Sequence, residues 1–420
     1  MKRAEIIAVG SELLTPFRLD TNSLFLTEQL NLLGIAVIRK SVVGDVRNEL
    51  SEAFRLALGH ADLVISSGGL GPTEDDLTRE ALAEATGRRL LPNRQVLARI
   101  QERFARMGRA MPPNNERQAM VPEGALILQN AYGTAPGLWL ELGAQAVVLL
   151  PGPPPELRRI FTDHVRALIE PRTGALRMIH RKLVVAGMPE SDLDHRIAPI
   201  YGSYREVETT ILASPEGIEI HLTSWTEDPA GTGRLLDELA GRIASALGEA
   251  VFSTEGETLD EVVARGLRST GATIAIAESC TGGLVSARLT SIPGSSAFFR
   301  GGVVSYSNEM KTAWVHVPPA LVELHGAVSA EVAMAMAEGV RLASGATLGL
   351  GITGIAGPGG ATPAKPVGTV HISLADASGA REQLFRFGGE RERIRRLAAQ
   401  SALDMVRRYL GRARSGGDRA

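Results

Sequence analysis

The chain has 420 residues, too many for one typical domain, and its length suggests roughly two to four. Its 45 basic and 47 acidic residues leave a formal net charge of −2, so there is no global positive field for nucleic acid or anionic lipid. A single cysteine excludes a disulfide within the chain, and no apolar run is long enough to span a bilayer. The first residues predict a strand and not a signal peptide, so we expect a cytoplasmic protein with no membrane partner.

The first segment, residues 1–170, alternates predicted strands with predicted helices. That order favours a three-layer α/β/α unit with a mainly parallel sheet, which would bind ligands at the carboxyl ends of its strands. The periodicity predicts strands at Ile6–Val9, Ala36–Val43, Leu63–Ser66 and Ala146–Leu150, and helices at Ser23–Leu33, Asn48–Leu58, Asp76–Thr86, Gln95–Met107 and from about Glu156.

A glycine-rich, acidic stretch from Ser66 to Thr78 follows the third of these strands. Glycines let a ligand approach the backbone, and a helix start attracts anions, so the stretch is typical of a phosphate site. Carboxylates would repel a phosphate unless a cation bridges them, as in a carboxylate–cation–pyrophosphate arrangement. A capping role is the alternative for each aspartate taken singly. The carboxylates expected at this sheet edge are Glu12, Asp20, Asp45, Asp75 and Asp76.

The second segment, residues 171–252, predicts a small α+β module. It has no glycine-rich phosphate loop and no cluster of His, Cys and carboxylates, so we expect it to serve spacing or dimerisation. Its predicted strands are Arg181–Val185, Val207–Leu212 and Gly217–Thr223, and its predicted helices are Glu190–Ile200 and Thr232–Leu247.

The third segment, residues 253–420, predicts a second α/β/α unit, and its Gly-, Arg- and Ser-rich tail after Leu410 is expected to fray. The predicted helices are Leu259–Leu267, Leu284–Leu289, Ala330–Leu342 and Arg391–Leu410. The predicted strands are Thr273–Ala277, Gly302–Ser305, Thr347–Ile352, Gly368–Leu374 and Gln383–Phe387.

Ser279 lies where the first strand of this segment turns through glycines into a helix. Such a turn presents a hydroxyl and free backbone N–H groups at the sheet edge, which suits a nucleophile beside an oxyanion. No histidine lies in these motifs, so a Ser-His-Asp triad is not supported, and a lysine or tyrosine with a lowered pKa can serve as the base instead. Lys311 lies one turn beyond Tyr306, close enough for its ammonium to lower the pKa of the phenol. The alternatives are an N-cap role for Ser279 and a competing nucleophile at Cys280.

Two further features follow other strands of the third segment. The glycine loop Gly354–Gly360 removes side chains where a ligand could approach the backbone, although an ordinary surface turn would look the same. Arg391 and Arg395 begin the last predicted helix and could clamp a phosphate, or they could be solvent-facing charges.

Six stretches of the third segment resemble one family: Ala277–Gly283, Pro293–Ser296, Tyr306–Asn308, His325–Ser329, Thr353–Pro358 and Lys365–Val370. They are similar to the C-terminal domain of the CinA family. The resemblance implies hydrolysis of the carboxamide of nicotinamide mononucleotide to nicotinate mononucleotide and ammonia, without a cofactor. It implies that Ser279 is the nucleophile and that Tyr306 and Lys311 activate it. It implies that Thr353 and an arginine at the start of the last helix bind substrate, this arginine being Arg391, Arg393 or Arg395, with Arg391 and Arg395 favoured. The further candidate substrate-binding residues are Thr281, Gly282 and Gly354.

Five stretches of the first segment, Gly10–Leu14, Asp20–Ser23, Gly68–Thr78, Asn130–Gly137 and Leu150–Pro154, resemble the molybdopterin-binding fold in its CinA form. That form implies a metal-dependent ADP-ribose pyrophosphatase, with Co²⁺, Mg²⁺, Mn²⁺ or Ni²⁺ as the metal and K⁺ as a further candidate ion. The resemblance implies that Asp45 and Asp76 bind the metal. The implied site residues are Glu12, Asp20, Asn22, Asp45, Gly68, Gly69, Gly71, Asp75, Asp76 and Gly133.

The second segment resembles the K-homology-like linker domain of CinA proteins, but Gly187–Glu190 lacks the second glycine of a Gly-x-x-Gly clamp, so we expect no nucleic acid partner. Together the segments predict a bifunctional, homodimeric enzyme of pyridine-nucleotide salvage that acts on nicotinamide mononucleotide and ADP-ribose. The alternative is that one or both sites are inactive and the protein binds molybdopterin or has an interaction role in competence or DNA repair. A short-chain dehydrogenase is disfavoured, because it needs its lysine four residues after the tyrosine and here the gap is five.

Overall fold

The structure of the chain, a computed structural model, describes residues 1–417, and it forms two compact units. Unit 1 contains Met1–Ile179 and Trp225–Ala230, and unit 2 contains His180–Ser224 and the described residues from Gly231 onward. Most of the middle segment therefore folds with the C-terminal segment. No helix of the described residues combines the length and the apolar character that a membrane span requires.

Unit 1 is built around a six-stranded sheet. Its strands and those of a small side ribbon are β1 Arg3–Val9, β2 Ala36–Val43, β3 Leu63–Ser67, β4 Leu90–Pro92, β5 Met120–Pro122, β6 Leu126–Leu128, β7 Gly137–Leu142 and β8 Gln145–Leu150. Its helices are α1 Asn22–Leu32, α2 Arg47–Leu58, α3 Thr78–Thr86, α4 Arg94–Arg106, α5 Pro154–Ile160 and α6 Arg166–Ile169.

The sheet order is β2-β1-β3-β8-β7-β6, with β2, β1, β3 and β8 parallel and β7 and β6 antiparallel. Side chains of a strand alternate between the two faces, so Ile6 packs with Leu26 of α1 while its neighbour Ile7 packs with Phe54 of α2. The mainly parallel three-layer prediction is thus confirmed, and the carboxyl ends of β1, β2, β3 and β8 share one edge.

The middle segment forms a four-stranded sheet in the order β10-β11-β9-β12. Its elements are β9 Arg177–Val185, α7 Glu190–Tyr201, β10 Glu208–Ser214, β11 Gly217–Thr226, α8 Pro229–Leu247 and β12 Val251–Ser253. Val184, Ala186 and Phe252 belong to the same hydrophobic core as the C-terminal segment, so this module packs directly on it within unit 2.

The C-terminal segment contains the second α/β/α arrangement, with the sheet order β14-β13-β15-β16-β17. Its elements are α9 Leu259–Thr270, β13 Ile274–Glu278, α10 Leu284–Thr290, β14 Phe299–Val304, α11 Asn308–Val315, α12 Pro319–His325, α13 Ala330–Ser344, β15 Leu348–Gly354, β16 Thr369–Asp376, β17 Gly379–Arg386 and α14 Arg391–Gly417.

Three helices of this segment differ from the sequence prediction. The short helices α11 and α12 lie where no helix was predicted, and α11 carries Lys311. Helix α14 continues past Leu410 to Gly417, so the expected fraying is wrong up to that residue, and the rest of the tail lies outside the described residues.

Candidate active sites

The Ser279 turn directly follows β13 in unit 2. The backbone N–H of Ser279 donates to the carbonyl oxygen of Ile352 on β15 at 2.9 Å, which fixes the turn to the neighbouring parallel strand. Gly282 and Gly283 then adopt positive φ angles of 63° and 92°, which only glycine adopts at little cost. The chain therefore reverses sharply into α10 and leaves the Ser279 hydroxyl at the carboxyl edge of the sheet.

The start of α10 is occupied by a protein carboxylate. Glu278, which is 0% exposed, accepts hydrogen bonds from the N–H groups of Gly283, Val285 and Ser286 and from the hydroxyl of Ser286, at 2.7 to 3.2 Å. The expectation of free N–H groups at this helix start is therefore wrong: Glu278 already satisfies them and holds the helix against the strand.

The Lys311 side chain reaches Ser279 from α11, which Ser307 caps by accepting from the N–H of Met310. The Lys311 Nζ donates to Ser279 Oγ at 3.2 Å and to the carbonyl oxygens of Ser305 and Tyr306 at 3.0 and 3.2 Å. Lys311 is 1% exposed, and burial lowers the pKa of its amine because desolvation disfavours the charged form. The pair thus combines a hydroxyl with an amine that is more readily neutral than an exposed lysine.

The Tyr306 phenol lies at the rim of this site. Tyr306 is 58% exposed, and its hydroxyl oxygen accepts from Arg391 at 2.9 Å. Lys311 contacts the backbone of Tyr306, and no hydrogen bond among the described residues joins the phenol to Ser279 or to Lys311. The structure therefore places Lys311, and not the phenol, in direct contact with the serine.

The two predicted arginines flank the turn from the first residues of α14. Arg391 donates to the carbonyl oxygen of Gly357 at 2.6 Å as well as to Tyr306, so it joins the glycine loop to the rim. Arg395 donates to the carbonyl oxygen of Thr281 at 2.9 Å and pairs with Glu392 at 2.8 Å. Both guanidinium groups therefore lie beside the loops that surround Ser279.

The remaining predicted substrate residues are held by the protein itself. Thr353 is 1% exposed, and its hydroxyl donates to the carbonyl oxygen of Ala327 at 2.7 Å. A Cβ at Gly354 would lie 2.7 Å from Val370 Cγ2, so this glycine is required by packing between strands. A Cβ at Gly282 would lie 3.5 Å from Arg395, and the buried hydroxyl of Thr281 has no partner among the described residues.

Cys280 is a poor nucleophile in this fold. Its side chain is 5% exposed and belongs to the core that packs beneath β13. Burial raises the pKa of the thiol to about 12, so almost no thiolate exists near neutral pH.

The second candidate site is a cavity of about 390 Å³ in unit 1, at the carboxyl edge of β1, β2, β3 and β8. We call it the acidic cavity, because five carboxylates and no lysine or arginine are among its lining residues, the carboxylates being Glu12, Asp45, Asp75, Asp76 and Glu156. The predicted glycines Gly68, Gly69 and Gly71 line it as well.

Two of these carboxylates also accept hydrogen bonds from backbone N–H groups of the loops around the cavity. Asp76 accepts from the N–H of Gly71 at 2.7 Å and from the N–H and hydroxyl of Thr73 at 2.8 and 2.5 Å. Asp45 accepts from the N–H of Ser11 at 2.7 Å. Each carboxylate thus fixes a loop at the cavity rim and keeps further lone pairs on its oxygens.

Three predicted residues do not line the acidic cavity. Asp20 accepts from the N–H of Ser23 at 2.9 Å and so caps the first turn of α1. Asn22 donates to the hydroxyl of Ser67 and to the carbonyl oxygen of Gly152, both at 2.8 Å. It therefore stabilises the loop that carries Gly152, one of the residues that line the acidic cavity. Gly133 lines a neighbouring cavity.

Arg79 is a contributor to this region that sequence reasoning missed. It is 1% exposed and donates to the carbonyl oxygens of Leu70 and Gly71 at 2.7 and 3.0 Å from beneath the glycine loop. Burial lowers the pKa of its guanidinium. Its burial could not be predicted, because nothing in the sequence distinguishes a buried arginine on a helix from an exposed one.

The donor set of the acidic cavity suits a hard cation, because Mg²⁺ and similar ions prefer carboxylate oxygens and are often held by one or two of them with water and phosphate oxygens. Among the described residues no group of three or more His, Cys, Asp or Glu could hold a metal ion by itself. A metal held by Asp45 and Asp76 would therefore need further ligands, such as substrate oxygens or water.

Family models match the chain in three places: the CinA C-terminal domain at residues 256–410, the probable molybdopterin binding domain at 5–171 and the damage-inducible protein CinA KH domain at 180–253. A CinA-like protein of Koribacter versatilis is 48% identical over 412 residues, which are 97% of this chain and 99% of the relative. A putative competence-damage inducible protein of Acetivibrio thermocellus is 44% identical over 97% of this chain and 98% of its own. A crystal structure of the protein CinA from Thermoplasma acidophilum, titled as having unknown function, is 36% identical, covers 40% of this chain and 99% of that chain, and has a TM-score of 0.38.

Proposed function

Because this chain belongs to the CinA family, we propose that its C-terminal segment hydrolyses the carboxamide of nicotinamide mononucleotide to nicotinate mononucleotide and ammonia. The observation that carries the proposal is the contact between the buried amine of Lys311 and the hydroxyl of Ser279. A serine needs a base to attack a carbonyl, and a desolvated lysine can accept its proton without a histidine.

The reaction proceeds in two halves. Neutral Lys311 takes the proton of Ser279 as Oγ attacks the carboxamide carbon, and the resulting ammonium gives this proton to the carboxamide nitrogen, which leaves as ammonia when the C–N bond breaks. Water then attacks the acyl-enzyme ester, with Lys311 again accepting a proton, and the C–O bond to Ser279 breaks to give the carboxylic acid, which loses its proton to solvent and leaves as the nicotinate carboxylate. The proton on Lys311 passes back to Ser279, so the enzyme is regenerated.

The arginines at the start of α14 supply the charge that a mononucleotide requires. Arg391 and Arg395 lie beside the glycine loop and the Ser279 turn, and guanidinium groups bind phosphate oxygens in a bidentate manner. We propose that they bind the 5′-phosphate and that the Tyr306 phenol, held by Arg391, positions the ring at the rim.

The test is an assay of purified protein with nicotinamide mononucleotide, with ammonia and nicotinate mononucleotide read by chromatography. Ser279→Ala should lower the rate by about 10³-fold or more, whereas the matched neighbour Cys280→Ser should keep most of it. Full activity in Ser279→Ala would remove the serine mechanism.

A second activity is proposed for unit 1, a metal-dependent cleavage of ADP-ribose to AMP and ribose phosphate. The observation that favours it is the acidic cavity, where glycines and carboxylates meet at one sheet edge. A metal held by Asp45 and Asp76 would neutralise phosphate charge, while the loop of Gly68, Gly69 and Gly71 lets the pyrophosphate approach the backbone. Adding Mg²⁺, Mn²⁺, Co²⁺ or Ni²⁺ with ADP-ribose should release AMP, equally in wild type and in Ser279→Ala.

A further inference from the structure

A second cavity of about 360 Å³ lies beside the acidic cavity in unit 1. We call it the basic cavity, because three arginines of α4, Arg99, Arg103 and Arg106, are among its lining residues. Their spacing of four and three residues places them on one face of the helix. The buried side chains of Val96 and Ile100 line the same cavity beside them. One carboxylate, Glu102, also lines it.

The two cavities share a wall. Thr134 lines both, and Asn130 lines the basic cavity while its side-chain nitrogen donates to Glu156 of the acidic cavity at 2.6 Å. Arg103 holds this wall in place by donating to the carbonyl oxygens of Ala131 and Tyr132. The two cavities therefore meet at Thr134.

The charges in the basic cavity are only partly neutralised. Arg106 pairs with Glu102 at 2.6 Å, in a surface pair that is weak because both side chains are largely exposed. Arg99 faces the neutral side-chain amide of Gln129, at 2.9 and 3.0 Å in the hydrogen-bonded orientation of that amide. No ion pair among the described residues involves Arg99 or Arg103. The basic cavity therefore keeps a net positive charge, whereas the neighbouring acidic cavity is strongly negative.

We propose that the basic cavity binds a phosphate group of a nucleotide whose remaining polar groups reach the acidic cavity. Guanidinium forks match phosphate oxygens, and the five carboxylates next door would repel a phosphate that lacked such a partner or a cation. The proposal rests on the pyrophosphatase proposal only for its choice of nucleotide, because it concerns binding and needs no hydrolysis.

The test is titration calorimetry with AMP, ADP-ribose and adenosine, in a buffer with chelator so that no metal-dependent cleavage takes place. The variant is Arg99→Gln with Arg106→Gln, which keeps Arg103 and therefore the wall. The matched control is Arg94→Gln with Arg109→Gln, which removes two exposed arginines near the two ends of α4 that do not line the cavity. Circular dichroism verifies that both variants are folded.

We expect the cavity variant to bind AMP and ADP-ribose about tenfold more weakly or worse, with the control variant and adenosine binding unchanged. Three results would overturn the proposed site. The cavity variant could bind AMP and ADP-ribose as tightly as wild type does, or it could lose as much affinity for adenosine as for the two phosphate-bearing ligands. Wild type could also bind none of the nucleotides. If binding depends on the arginines but ADP-ribose with metal is never cleaved, the site stands and the pyrophosphatase proposal fails. If the cavity variant binds nucleotide and cleaves ADP-ribose as wild type does, the pyrophosphatase proposal stands and the proposed phosphate site fails.

Discussion

The Nζ of Lys311 lies 3.2 Å from the Oγ of Ser279, with the lysine 1% and the serine 7% exposed. The two residues are 32 positions apart in sequence and meet because α11 docks its buried face at the carboxyl end of β13. A lysine amine in this position acts as a base only when it is neutral, and the depth of its burial sets the pH at which that occurs.

The first prediction concerns the pH profile of deamidation. Because burial lowers the pKa of Lys311 from its ordinary 10.5, the neutral fraction and the rate should rise with pH, with a midpoint below 10.5. Lys311→Arg keeps the positive charge but cannot lose its proton near neutral pH, so kcat should fall by about 10²- to 10⁴-fold. Rates between pH 6 and 10 measure both effects. A profile in wild type that is flat or falls over this range would contradict a lysine base.

The second prediction concerns thiol chemistry. With a pKa raised to about 12 by burial, Cys280 should resist alkylation by iodoacetamide at pH 8 in the folded protein and react fully after unfolding in guanidinium. Mass spectrometry of the intact chain counts the adducts directly, since the chain has one cysteine. Rapid labelling of the folded protein, together with a loss of deamidase activity that Cys280→Ser prevents, would restore the thiol as a candidate nucleophile.

The third prediction concerns the carboxylate that closes the start of α10. Glu278→Ala removes four hydrogen bonds and leaves three backbone N–H groups, one buried and two partly buried, without this partner, so it should lower the free energy of unfolding of unit 2 by about 2 to 4 kcal/mol. Ser286→Ala removes one of the four and should cost only about 1 kcal/mol. Denaturant titration compares the two variants, and equal losses would show that Glu278 does not organise the turn.

The position of Ser279 could be predicted from the sequence, because the signal is local: a β-branched run followed by glycines indicates a strand that turns into a helix. The burial of Lys311 could not, because it depends on how α11 packs against distant strands. Glu278 shows the same limit. The motif contained the carboxylate, but only the fold shows that it faces the helix start and takes the N–H groups expected to be free. In unit 1 the acidic residues of one sheet edge were predictable, whereas the buried Arg79 beneath them was not.

The fourth prediction tests whether the glycine loop of unit 1 is shaped for function. A Cβ at Gly71 would overlap the Asp76 carboxylate, so Gly71→Ala should displace this proposed metal ligand and abolish metal-dependent ADP-ribose cleavage. Gly174→Ala is the matched control, because a Cβ there meets nothing within 4 Å and this glycine also has no positive φ angle. AMP release measures the effect, while ammonia release from nicotinamide mononucleotide in the same samples reports on unit 2. Because Asp76 also holds the N–H groups of Gly71 and Thr73, its displacement should open the loop, so excess metal should not restore cleavage. Normal cleavage by Gly71→Ala would show that Asp76 is dispensable at that site.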